Sequence, residues 1–429
     1  MSESTYDLVG IGFGPANLSV AIAAEEAGQP VRAVFFDRKP EFSWHEGLMF
    51  AGAEMQVSFL KDLITMRNPR SDYSFLSYLA DRERLAKFVN LRTFYPTRTE
   101  FNDYYRWVAA RFADRVHWGT EVVAVHPVAG AADDVELLDV VVRDLADGTE
   151  RTVRTRNLII APGGQPHLPA GVQAGPRVFH ASETAHRLDE SYTDTAAPYR
   201  FAIVGAGQTA ADVFLHLRRT YPNARIDQVI RGFALRPEDD THFINEFFDP
   251  AMPGWFYGQR EEFRGEVLDT YGLAAHTGVS YDLIPTIYRE HYEDLVTGSQ
   301  AVTLHRWSEL TAAENGPDKA TAHLRRRDTG DTTTLDADAI ILATGYRYPM
   351  PVPVLHDVQR HLTMAQPDRY ALRRTYDIEA TPRFRPKIFL QGYGEATHGF
   401  SEVLLSLMPF RAAEIVDAAM AGAPIPVEA

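Results

Sequence analysis

Tyr6-Asp7-Leu8-Val9-Gly10-Ile11-Gly12-Phe13-Gly14-Pro15-Ala16-Asn17 is the stretch on which the fold turns. A short apolar strand, Tyr6 to Val9, runs into a glycine-rich turn and then into a helical pattern from Leu18 to Ala27. A second strand, Val31 to Phe36, ends on Asp37, so strand, glycine turn, helix and strand follow at βαβ spacing. Missing side chains at Gly10, Gly12 and Gly14 let backbone N–H groups approach a pyrophosphate. The helix N-terminus, opened by Pro15, adds a favourable partial positive charge. Asp37 can accept from ribose hydroxyls, and these five residues form a candidate dinucleotide site. The plainer reading is a tight turn beside a charged strand end.

The same signal returns at Phe201-Ala202-Ile203-Val204, followed by Gly205-Ala206-Gly207-Gln208-Thr209-Ala210 and a helix through Leu217. Here the next strand, Ile226 to Ile230, leads to Arg231 instead of an acid. A basic residue suits the 2′-phosphate of NADP, with Arg236 a second candidate. The plainer reading of either arginine is a solvated loop charge. Gly205, Gly207, Gln208, Thr209, Arg231 and Arg236 make up the second candidate site.

Working outward, Asn157 to Gly164 and Ala339 to Tyr346 read as buried strands ending in turns, the two crossings between domains. Proline-marked segments follow each, Pro166 to Pro169 and Pro349 to Pro353. The expected fold class is α/β, with two Rossmann-like dinucleotide-binding domains, the second inserted into the first, and a small substrate-binding region. The first domain is expected at 1–165 and 331–429, and the second at 166–330. Asp144 to Glu150 and Asp328 to Asp338 read as hairpins. A last strand, Lys387 to Gln391, feeds a glycine loop and an apolar helix expected from Ser401 to Met420.

Composition narrows the chemistry. A net charge of −15 over 429 residues disfavours nucleic acid or an anionic membrane as partner. Neither a signal core nor an apolar run of about eighteen residues is present, which points to a cytoplasmic address. Two dinucleotide sites in one chain imply a bound flavin and a nicotinamide donor, since hydride passes from nicotinamide to flavin. With no cysteine, a dithiol cannot be the electron acceptor, and no metal-ligand set or nucleophile motif stands out. Molecular oxygen is the simplest acceptor left. A peroxide-forming NADPH oxidase-type flavoprotein, a quinone reductase and a non-catalytic nucleotide sensor use the same glycine turns and stay open at this point.

The run Met55-Gln56-Val57-Ser58-Phe59-Leu60-Lys61-Asp62-Leu63 is more specific than any glycine motif. It continues through Arg67-Asn68-Pro69, Tyr73-Ser74-Phe75-Leu76, Phe94-Tyr95-Pro96 and Glu100-Phe101-Asn102-Asp103-Tyr104. With Trp44-His45, Asn245-Glu246, Ala343-Thr344-Gly345-Tyr346 and His398-Gly399-Phe400-Ser401, it resembles the flavin-dependent N-hydroxylating monooxygenases of siderophore pathways over nearly the whole chain. The members it resembles are chiefly the L-ornithine and L-lysine N-monooxygenases. The resemblance implies FAD at the first turn and NADPH at the second. It also implies N-hydroxylation of the side-chain amine of L-ornithine through a C4a-hydroperoxyflavin, and a dimer or tetramer of identical chains. L-lysine or a diamine, cadaverine or putrescine, is the alternative substrate.

Carried over position by position, the resemblance gives Lys61 and Asn245 the substrate carboxylate and sets Gln56 beside the reactive face of the flavin. Trp44 and His45 would flank its ring, and Ser401 would open a helix directed at flavin and substrate. Two departures stand out. Ala274-Ala275-His276-Thr277-Gly278-Val279-Ser280 lacks an asparagine expected at the nicotinamide ribose and substrate amine, leaving His276 or Thr277 to replace it or the loop to be rearranged. Phe179 to His186 lacks the glycine of the signature shared by Baeyer–Villiger and general flavin monooxygenases, which disfavours those classes.

Overall fold

The strand that opens the chain, Tyr6–Ile11, lies between two parallel neighbours, Ala33–Asp37 and Glu150–Ile160. In this computed structural model, which describes residues 5–130, 134–276 and 278–421, the first sheet is seven-stranded. Val116–Trp118 extends it beyond Ala33–Asp37, and Lys387–Leu390 adds to Glu150–Ile160 from the other side. Glu150–Ile160 serves two purposes along its length. Its first half pairs antiparallel with Val135–Asp144 in a meander with Thr120–Ala129, and its second half pairs parallel with the opening strand.

Alternation along these strands sends side chains into two cores, as a parallel sheet covered on both faces requires. Leu8, Phe35 and Ile159 face the helices Pro15–Glu25 and Met408–Met420 and an aromatic cluster around Phe75, Phe101 and Tyr104. Val9, Phe36, Leu158 and Ile160 face the meander.

The second sheet repeats this plan. Five parallel strands run in the order Val302–His305, Arg225–Val229, Arg200–Val204, Ala339–Leu342, Val178–His180. Phe201, Ile203 and Ile341 pack on helix Gln208–Thr220, and Ala202, Val204 and Ile340 pack on an antiparallel meander from Ser308 to Ala337. Helices Met252–Tyr257, Glu261–Tyr271 and Leu283–Thr297 occupy the long connection between Arg225–Val229 and Val302–His305.

Two sequence expectations need correction. Ala339–Leu342 pairs with Arg200–Val204 and Val178–His180, so the residues just after 330 belong to the second sheet and not to the first domain. The hairpin at 328–338 is the end of a meander feeding a central strand. The chain crosses back afterwards, where Tyr346–Arg347 pairs antiparallel with Gln165–Pro166 and zips the two crossings together. Nor does a continuous helix start at Ser401. A short 3-10 turn, Phe400–Val403, is followed by a break and then by the helix Met408–Met420, with Pro409 in its first turn. Proline has no N–H to donate and clashes with a preceding helical turn, so the helix can begin at Pro409 but cannot run through it.

The two units meet backbone to backbone at Gly47, where a Cβ would lie 1.8 Å from the Ser182 carbonyl oxygen. Nearby the Phe50 and His216 rings stack at 4.3 Å, and Arg98 pairs with Asp212 at 2.7 Å in a largely buried bridge. Gly47→Ala must therefore push the units apart, at a cost of about 1–3 kcal/mol or more. Thermal unfolding should show a clearly lowered melting temperature for Gly47→Ala and none for Gly28→Ala, where an added Cβ meets nothing within 4 Å.

Candidate active site

Superposing the plans of the two sheets aligns their turns residue by residue. Gly12 has φ +81°, and a Cβ there would lie 2.5 Å from the Ala161 carbonyl oxygen; Gly205 has φ +149° and the same relation to Ala343 at 2.3 Å. Gly12 donates its N–H to Phe36 and Gly205 to Val229, in each case the strand beside it. Gly14 and Gly207 then cap their helices in extended conformation, with no side chain bonding the first-turn N–H groups. A Cβ on Gly14 would meet nothing within 4 Å, so the approach to those N–H groups is open. The first turn thus fits a phosphate group at a helix start, and the second repeats its backbone plan with the Gln208 N–H given to the Gly278 carbonyl. Pro15 is the first helical residue, where its missing N–H costs nothing. Gln208 and Thr209 open the second helix. Gly10 is placed differently: it lies inside Tyr6–Ile11, and its bare Cα makes room for the Phe35 ring, 2.2 Å from where a Cβ would be.

Asp37 accepts from the Phe13 N–H at 2.7 Å and the Lys39 N–H at 2.9 Å, which leaves part of its acceptor capacity free. The corresponding position of the second sheet is buried Ile230, followed by Arg231. Without a carboxylate there, an extra phosphate would meet no repulsion. Arg231 and Arg236 are exposed, and among the described residues neither guanidinium has an ion-pair or hydrogen-bond partner.

The strap from Met55 to Leu63 carries two more candidates. Buried Asp62 pins it, accepting from the N–H groups of Ile64, Thr65 and Phe75 at 2.6–2.9 Å. Burial pushes the Asp62 carboxyl upward against those bonds. Ser19 on the first helix donates to the Leu63 carbonyl at 2.9 Å, tying the strap to the first turn. Lys61 is thereby held with its Nζ 5.2 Å from the centre of the Phe248 ring and no carboxylate within 4 Å among the described residues. Burial alone draws its pKa below the usual lysine range.

Phe248 ends the short 3-10 helix Ile244–Phe248 that carries Asn245. The Asn245 amide donates to the Asp240 carbonyl at 2.7 Å, which fixes its orientation and leaves Oδ1 free. Phe247 of the same helix meets Phe400 edge to face, 5.5 Å between centres, and so brings buried Ser401 into the neighbourhood. Trp44 packs edge-on to Tyr105 and His45, and His45 Nδ1 lies 3.4 Å from the Tyr346 hydroxyl at the crossing. His45 keeps part of its surface exposed, yet burial by the protein around it, and then the cations Arg98 and Lys39, hold its pKa down to about 4.

Two features were not visible as motifs. A buried polar chain links Gly12, Asn17, Gln391, Arg411 and Glu402, ending where Glu402 accepts from the Gly392 N–H at 2.8 Å. It fastens the Gly392–Ser401 loop to the first turn. The second is the ion pair of His276 with Glu395, across the two units, which raises the His276 pKa. Thr277 lies outside the described residues.

The family model described as L-lysine 6-monooxygenase/L-ornithine 5-monooxygenase matches residues 4–348. The chain is 37% identical over 421 residues to the L-ornithine N(5)-monooxygenase of Pseudomonas aeruginosa, covering 96% of this chain and 92% of that protein. Its identity to the L-ornithine N(5)-monooxygenase of Burkholderia cepacia is 40% over 403 residues, 92% and 90% of the two chains. A solved structure of the Kutzneria sp. 744 ornithine N-hydroxylase with reduced FAD, NADP+ and L-ornithine superposes with a TM-score of 0.92. It is 34% identical and covers 97% of this chain and 99% of that one.

Keeping the His45 imidazole neutral in the folded protein costs stability in acid. Between pH 6.5 and about 4 the unfolded chain takes up a proton at this histidine that the folded protein does not, so stability falls as the pH drops through that window. In urea titrations of the flavin-free protein, His45→Gln should lose less stability than the parent over that range. Equal losses would mean that His45 protonates freely in the folded state.

Proposed function

The chain belongs to the L-lysine 6-monooxygenase/L-ornithine 5-monooxygenase family, and from that premise we propose that it N-hydroxylates the side-chain amine of L-ornithine with FAD, NADPH and oxygen. It is a flavin monooxygenase, with FAD assigned to the turn at Gly12 and Gly14 and NADPH to the turn at Gly205 and Gly207. Residues up to 165 and from the paired crossing at 346 onward are assigned to the FAD unit, and those between to the NADPH unit.

The observation that carries the substrate reading is Lys61. A half-buried ammonium that, among the described residues, faces an aromatic ring and no carboxylate is an incomplete ion pair. An amino-acid carboxylate completes it with a charge-assisted bond. Asn245, on the helix that supplies Phe248, is assigned to the same end of the substrate, and Ser401 and Thr277 are assigned to substrate binding. Gln56, Trp44 and His45 are assigned to the flavin, and Arg231 and Arg236 to the 2′-phosphate of NADPH. Asp37 is assigned to the FAD ribose.

Bound FAD, once reduced, would supply the activated oxygen. The protein's task is to present an amine that has shed its proton, because an ammonium has no lone pair to attack with. A free amine of this kind has a pKa of about 10.4, and burial lowers it. The Lys61 charge, on the strap beside Gln56, pushes in the same direction. His276, paired with Glu395, is our candidate for the missing asparagine, and that substitution is what keeps L-lysine as the second reading. One methylene separates the two substrates, worth about 1–3 kcal/mol of discrimination.

Among the described residues no helix is long and apolar enough to cross a membrane. A cytoplasmic homo-oligomer supplying hydroxamate siderophore synthesis completes the proposal, its assembly to be checked by light scattering.

Hydroxylamine release and NADPH oxidation across ornithine, lysine, putrescine and cadaverine test this reading, with ornithine expected to give the highest ratio of product to NADPH. Lys61→Ala should weaken apparent ornithine affinity by about ten- to a hundredfold, the value of one charge-assisted bond. Diamine turnover, where present, should hardly respond. Unchanged ornithine kinetics in Lys61→Ala would place the carboxylate elsewhere, and a preference for diamines would overturn the amino-acid reading.

A further inference from the structure

We infer that Glu238 is a positioning residue that fixes the orientation of the Gln56 amide and couples it to the second nucleotide turn. Gln56 Nε2 donates to Glu238 Oε2 at 2.7 Å and reaches Ser280 Oγ at 3.4 Å. Both partners sit on one bridged pair of segments. Pro237 bridges Val279, the Glu238 N–H donates to the Val279 carbonyl at 3.0 Å, and the Val279 N–H returns to Arg236 at 3.0 Å. At Gly278 the segments approach so closely that a Cβ would lie 2.5 Å from the Cα of Glu238.

The bridged pair is fastened to the turn at Gly207. Gln208 accepts from the Ser280 N–H at 2.8 Å through its side chain, and its own N–H donates to the Gly278 carbonyl at 3.1 Å. Gln208 in turn donates to Asp212, which holds Arg98 of the first unit at 2.7 Å. From the second glycine turn to the Gln56 amide there is thus a continuous path of hydrogen bonds, with Glu238 and Ser280 as its last members.

Chemistry gives Glu238 its role. An ionised carboxylate only accepts, so it binds the NH2 end of Gln56 and turns the carbonyl end away. Burial and the nearby Asp240 raise the Glu238 pKa, while the bond from Gln56 opposes them. An amide in its place can donate or accept, so either end of Gln56 would satisfy it. Glu238→Gln therefore keeps size and a hydrogen bond but removes the choice of orientation.

The inference rests on the reading of Gln56 as a flavin-side residue, and a double-mutant cycle on the FAD-loaded protein tests it with two readouts. One is hydroxylamine formed per NADPH, and the other is the visible absorption spectrum of the bound oxidised flavin, which needs no turnover. Glu238→Gln should lower the coupling ratio about fivefold, the equivalent of one net hydrogen bond of about 1 kcal/mol. It should also shift the spectrum in the same sense as Gln56→Ala. In the Gln56→Ala background, Glu238→Gln should add nothing to either readout, because its effect passes through the missing amide. Independent, multiplying effects would overturn the inference, as would a Glu238→Gln protein identical to the parent in both readouts. If the parent forms no hydroxylamine from any amine, the proposed function fails. The spectral arm of the cycle then still decides whether Glu238 acts through Gln56.

Discussion

At the two glycine turns backbone must pass backbone with nothing between, and the architecture follows from that contact. Gly12 rides against the Ala161 carbonyl and Gly205 against the Ala343 carbonyl, each with a left-handed φ that a side chain would strain. The contact sets each turn at the end of its parallel strands and, at the first turn, leaves the helix start at Gly14 facing open space. Because Ala161 and Ala343 also lead into the two crossings, and these pair with each other at Gln165–Pro166 and Tyr346–Arg347, the same geometry orients one sheet toward the other.

Several polar side chains of the candidate site are held by partners that define what they can still do. Asp62 spends its acceptors on the strap backbone and so holds Lys61 out toward Phe248. Glu402 and Arg411 satisfy each other and the Gly392 loop in a buried network, where an unpaired charge would be costly. The Arg98–Asp212 pair crosses between units, and burial raises the Asp212 carboxyl more than Arg98 lowers it. That bridge contributes alignment more than stability.

Local patterns carried most of the fold. The glycine turns, their flanking strands and the hairpin tips have signals of one to ten residues, and each stands where the residues pointed. The extent of the second unit was less legible, because a surface hairpin and a meander that feeds a central strand look alike until Ala339–Leu342 is seen between its neighbours. Pro409 carried a usable signal for the late helix start, masked by the apolar run around it. In the candidate site, Lys61 stood out through its apolar neighbours. Glu238 did not, because Arg236-Pro237-Glu238-Asp239-Asp240 reads as a solvated charged loop, and its contact with Gln56 spans 182 residues. The His276–Glu395 pair is equally non-local.

The most direct test of the account is a crystal structure of this protein with FAD, NADP+ and L-ornithine bound. The account predicts the ornithine carboxylate within about 2.7–3.2 Å of Lys61 Nζ, the side-chain amine directed toward the flavin past Gln56, and the two pyrophosphates at the turns of Gly12 and Gly205. Ornithine whose carboxylate pairs with another cation, while Lys61 still faces only the Phe248 ring, would contradict it.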